Sequence, residues 1–73
     1  MDNEIGMCEE IGRIARDNWN NRWTYEELAD ELGLRSAWHA GQQVARAWHY
    51  FKSHGDWDTC AAIPRVFWGK GQR

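Results

Sequence analysis

Seventy-three residues with a net charge of −2 allow one small domain and a correspondingly small core. No apolar run is long enough to span a bilayer and nothing reads as a signal peptide, so a cytoplasmic protein without membrane contact is expected. Six tryptophans stand out, because each ring buries a large area at low entropic cost and a few can hold a mini-domain together. Trp19, Trp23 and Trp48 are expected in the core, and Trp38 and Trp57 at the surface as candidate interface residues.

From Glu4 to about Asn18, Ile5, Cys8, Ile11, Ala15 and Trp19 follow a helical period, widened by Met7 and Ile14. Gly6 and Gly12 weaken that helix, so packing must hold it. Asn18, Asn20 and Asn21 mark a break, and Arg22–Tyr25 is read as briefly extended. A second helix then starts with Thr24 and Glu27 at capping-box spacing, with Trp23 and Leu28 placed as a hydrophobic staple. Leu28, Ala29 and Leu32 form its apolar stripe, and Gly33 is suited to end it in the left-handed conformation.

Ser36 is a plausible cap for a longer third helix. Ala37, Gly41, Val44, Trp48 and Phe51 share one face of it, beside Ala40 and Ala47. Roughly opposite lie His39, Gln42, Arg46, His49 and Ser53, with Gln43 and Tyr50 on the flank. Gly55 closes the helix, and Asp56-Trp57-Asp58 reads as a loop. The tail Thr59–Trp68 combines β-branched and aromatic residues with Pro64 and is read as an edge strand or small hairpin. Residues 1–3 and 69–73 are expected to be flexible. The chain is therefore predicted to be one mainly α domain over 1–73. Its expected form is a three-helix, helix-turn-helix-like unit whose short C-terminal β element would make it winged. A plain three-helix domain with an extended tail is the alternative.

Charge is distributed unevenly. Up to Glu31 the chain carries nine acidic and three basic residues; from Leu32 onward it carries two acidic and six basic. A basic half containing the third helix suits a domain that presents one side to phosphates, or one that pairs with a partner of opposite polarity.

TYEELADELG, SAWHAGQQVARA and IPRV with a glycine soon after resemble the C-terminal DNA-binding domain of alkylguanine-DNA alkyltransferases and alkyltransferase-like proteins. The resemblance runs over residues 22–69 and implies a helix-turn-helix scaffold, with Tyr25 matching the tyrosine that acts on the DNA backbone. The departures remove the chemistry. Pro64 is followed directly by Arg65, so the family's Cys-His or Trp-His pair is missing. Cys60 stands four residues before Pro64, outside the nucleophile's motif. The family's arginine finger falls at Trp38 or His39. Methyl transfer is thus not implied.

No other chemistry is signalled. Cys8 and Cys60 form no paired motif and are expected to be reduced. His49 and His54 are spaced wrongly for a shared metal on one helix. No catalytic residue, cofactor-binding residue or metal ligand is assigned, and no cofactor is expected. The expected function is non-enzymatic binding of duplex DNA through the helix 36–54 and the basic tail. Arg35 and Ser36 would sit near the helix start, and His39, Gln42, Gln43, Arg46 and His49 would face the groove. Arg65, Lys70 and Arg73 would add backbone contacts. The alternative is a protein-interaction module, such as a phage or mobile-element inhibitor of a host protein. A homodimer would suit the DNA reading, since helix-turn-helix proteins commonly read two half-sites.

Overall fold

The computed structural model describes residues 3–68. The ends expected to be flexible, and with them Lys70 and Arg73, lie outside the described residues, except that Asn3 opens the first helix. The order is α1 (Asn3–Asp17), β1 (Trp23–Thr24), α2 (Tyr25–Leu32), α3 (Ala37–Ser53), α4 (Trp57–Val66) and β2 (Phe67–Trp68). Mainly helical character is as expected; a fourth helix is not.

The local signals around α2 and α3 produce the structures they predict. Thr24 accepts from the Glu27 backbone N–H at 3.1 Å while the Glu27 carboxylate accepts from the Thr24 N–H at 2.8 Å, a complete capping box. Gly33 adopts φ 69°, and the Leu34 N–H reaches the Ala29 carbonyl at 2.8 Å, so α2 ends in a Schellman motif. Ser36 caps α3 through the His39 backbone N–H. At the other end Gly55 has φ 74° and the Asp56 N–H bonds the Phe51 carbonyl at 3.0 Å, repeating the device.

That second motif leads straight into a helix where the sequence pattern predicts a loop and a β element. Asp56 is not in a loop: it is the N-cap of α4, accepting from the Thr59 backbone N–H at 3.2 Å and the Thr59 hydroxyl at 2.8 Å. Trp57 and Asp58 form the first turn. The residues read as an edge strand or hairpin coil into α4 up to Val66, and only Phe67 and Trp68 are extended. Thr59, Cys60, Ala62, Ile63 and Val66 are buried, and their spacing is helical. Pro64 lies exposed near the helix end, where its missing N–H forfeits one bond to the carbonyl of Cys60. β2 pairs in parallel with β1, Trp23 opposite Phe67 and Thr24 opposite Trp68, so the C-terminal β element is a clamp onto the start of α2 rather than a hairpin.

α3 is the central element, packing against α1, α2 and α4. The largest fully buried side chains are Ile11, Leu28, Ile63, Val66 and Thr59, with Phe51 and Phe67 close behind. No tryptophan among the described residues is fully buried. Trp23 and Trp48 pack against the core from its margin, as expected in part, but Trp19 is 44% exposed and is corrected to a surface residue. Trp38 and Trp57 are 67% and 62% exposed, which agrees with the sequence reading. Ile5, expected on the buried stripe of α1, is also exposed. Cys8 and Cys60 are buried and form no disulfide. No helix among the described residues is long and apolar enough to cross a membrane.

Candidate functional site

Burial on α3 divides the helix by angle. At 100° per residue, Trp38, Gln42, Ala45, His49 and Lys52 fall within an arc of about 80°, with Ser53 and Arg46 on one flank. All seven are exposed. The exposed stripe is rotated by about 40° from the face read in the sequence. The rotation brings in Ala45 and Lys52, which the sequence reading omitted although Lys52 stands one turn beyond His49. It also moves His39 to the edge. No residue of α3 is a carboxylate.

The assigned residues separate into groups. Gln42, Arg46 and His49 share the exposed stripe, and Arg35 is exposed in the turn before α3. Ser36 and His39 engage each other: the hydroxyl and Nδ1 are 2.9 Å apart and the same oxygen caps the helix. Gln43 is half-buried and its side-chain oxygen has no hydrogen-bond partner among the described residues. Arg65 lies away from the stripe on α4, where its Nε donates to the Trp19 carbonyl at 3.0 Å and its guanidinium covers the Trp19 ring at 4.5 Å.

Three concavities among the described residues touch the α3 stripe. On the α1 side, Gln42, Arg46 and His49 meet Ile5 and Cys8. On the other side a cleft of about 530 Å³ runs between α3, α4 and the β pair, walled by Tyr25, Trp48, Pro64, Phe67 and Trp68, with Arg22 at its mouth. Ala45 and His49 border both. These two have no carboxylate among their described lining residues. Gly41 makes the second cleft: a Cβ there would stand 2.9 Å from the Tyr25 ring, so glycine is what lets that ring lie on α3. Near Trp38 and Gln42 the surface changes sign, because Glu26 of the acidic α2 borders the groove.

The acidic groups lie largely elsewhere. Glu10, Arg13 and Asp17 pair along the exposed face of α1, and the Arg13 guanidinium holds the Glu10 carboxyl below its usual range. Glu9 accepts from the Tyr50 hydroxyl at 2.7 Å, and Asp56 and Asp58 line the same depression with His54. The hydrogen bonds from Thr59, hydroxyl first and then backbone N–H, lower the Asp56 carboxyl pKa. Among the described residues no group of three or more His, Cys, Asp or Glu gathers in a metal-binding arrangement. No protein-family model, curated protein or solved structure matches the chain.

Proposed function

We propose that this protein is a non-enzymatic duplex-DNA-binding domain of helix-turn-helix type, with α2 as the supporting helix and α3 as the reading helix. The observation that carries the reading is the exposed stripe of α3, which holds no carboxylate and is bordered by two concavities with none among their described lining residues, Glu26 meeting the stripe only near Trp38 and Gln42, on a protein whose net charge is −2. Acidic proteins bind phosphates only where the charge is segregated, and here it is. Gln42, Arg46 and His49 are the base-edge candidates, and small Ala45 between them permits close approach. Lys52 and Arg35 are the phosphate candidates nearest the helix ends, with Lys70 and Arg73 of the tail assigned the same role. The half-buried His39 and Gln43 act from beneath the reading face, and Ser36 acts as a cap. The resemblance to the alkyltransferase DNA-binding domain supports the scaffold alone.

The test is duplex binding as a function of salt. Arg46→Ala should weaken binding uniformly across sequences and reduce the slope of log K against log salt by about one. Unaltered binding at every salt concentration would remove Arg46 from the interface. Capture of a stoichiometric protein, in place of steeply salt-dependent DNA binding, would favour the protein-partner alternative. The exposed rings of Trp38 and Trp57 are what speak for that alternative.

A further inference from the structure

The aromatic cleft beside α3 does not end at Trp68. Arg22 and Pro64 line both it and a second depression of about 410 Å³ that includes Trp19 and Arg65. Together they make an elongated trough. The main cleft is mostly apolar, the described lining residues of the trough include Arg22, His49 and Arg65, and none is a carboxylate. Two of its tryptophans carry a lining cation over the ring, Arg22 at 5.2 Å from Trp68 and Arg65 at 4.5 Å from Trp19, while Lys52, which lines neither depression, stands 4.8 Å from Trp48. A nucleobase stacking on the covered faces of Trp68 or Trp19 would have to displace Arg22 or Arg65. An apolar side chain entering the main cleft would leave them in place, facing outward and able to pair with carboxylates. The volume of the main cleft falls within the range of small-ligand pockets and accommodates a bulky side chain.

We infer that this trough is a docking site for an extended acidic peptide segment of a partner protein, which seats one large apolar side chain between Trp48 and Trp68 and sets flanking carboxylates against Arg22 and Arg65. The inference shares His49 and the main cleft with the duplex-DNA reading but not Arg46, on which the salt test of that reading turns. Charge complementarity selects an acidic occupant, and this chain's own acidic segments are not extended: α2 is folded with Leu28 fully buried, and the exposed Trp57 lies in the first turn of α4 beside Asp56, which is held by Thr59.

The test uses the full chain, ¹⁵N-labelled, whose tryptophan indole N–H signals report separate places. The probe is a hexapeptide with two aspartates on each side of a leucine–tryptophan pair. Saturable shifts of the Trp48 and Trp68 indole signals, with Trp57 unmoved, are expected. Replacing the central pair by alanines should abolish the shifts. Arg22→Glu, an exchange at an exposed position, should weaken the acidic peptide about tenfold and admit a version carrying lysines for aspartates. The inference is overturned if no shift occurs up to about 1 mM peptide, the weak end of specific affinity. Shifts confined to Trp38 or Trp57, or an unchanged affinity in Arg22→Glu, overturn it as well. So does tighter binding of an oligothymidylate than of the peptide at Trp48 and Trp68, which would assign the trough to single-stranded nucleic acid. Each of these outcomes is separable from the salt dependence of Arg46→Ala on duplex DNA.

Discussion

Gly6 and Gly12 lie in the same helix, and replacing each by alanine should change stability in opposite directions. Either substitution removes a helix-interior glycine, which by itself stabilises by about 0.5–1 kcal/mol through backbone entropy. At Gly6 nothing lies within 4 Å of an added Cβ, so the whole gain is realised. At Gly12 the added carbon would stand 2.4 Å from Phe51 Cζ, 2.5 Å from Phe51 Cε2 and 3.0 Å from Thr59 Cγ2. Phe51 and Thr59 are both buried, so the ring must move by about an ångström into packed surroundings, or α1 must lift from α3 and α4. Overpacking of that kind costs about 1–3 kcal/mol, which exceeds the propensity gain and leaves Gly12→Ala less stable by about 1–2 kcal/mol. In a domain of this size 1 kcal/mol corresponds to about 4–8 °C in Tm. Urea titrations with m held as a control should therefore place Gly6→Ala above the parent and Gly12→Ala below it. Adding Phe51→Leu to Gly12→Ala should recover part of the loss by non-additivity. Equal midpoints for the two alanine variants, or a more stable Gly12→Ala, would refute the close α1–α3 approach.

The N-cap of α4 gives a second expectation. Asp56→Ala removes the acceptor of both the Thr59 N–H and the Thr59 hydroxyl, whose residue is 1% exposed, and should cost about 1–2 kcal/mol in a urea titration. The same carboxylate sets a pH dependence. Its folded pKa lies below the ordinary value of 3.8, so its contribution is complete above that value and is lost as pH falls through the lower folded one. The stability gap between the parent and Asp56→Asn should stay constant from neutral pH into the mildly acidic range and close below pH 3.8. Thr24→Ala breaks the capping box and should lower stability by about 1 kcal/mol, measured the same way.

Local chemistry accounts for what was legible. The capping box, Gly33, Ser36 and Gly55 each act through atoms within a few residues of one another, so their spacing alone predicts α2, the turn and α3. Thr59–Trp68 was misread because β-branched residues and a proline over a short apolar run suit a strand, and such a run does not distinguish strand from buried helix. The signals that would have decided it were Asp56 three residues before Thr59 and the helical spacing of Thr59, Ile63 and Val66. On the candidate site, Arg46, His49 and Gln42 were readable from periodicity. Lys52 follows from the same periodicity, one turn beyond His49, but Arg22 and the trough do not, because they depend on how far α3 is rotated against three neighbours and on where α4 returns the chain.

By itself the sequence determined that two capped helices and a glycine turn lie between Thr24 and Ser53, and that positive charge gathers in the second half. Tertiary packing decided which equivalent-looking residues differ. Gly12 faces Phe51 while Gly6 faces solvent, and Trp48 borders the core while Trp19 stands exposed under Arg65. Helical periodicity specifies a face only relative to its own axis. The direction in which that face points is fixed by contacts from residues forty or more positions away, such as Arg16 with Thr59 and Trp19 with Arg65.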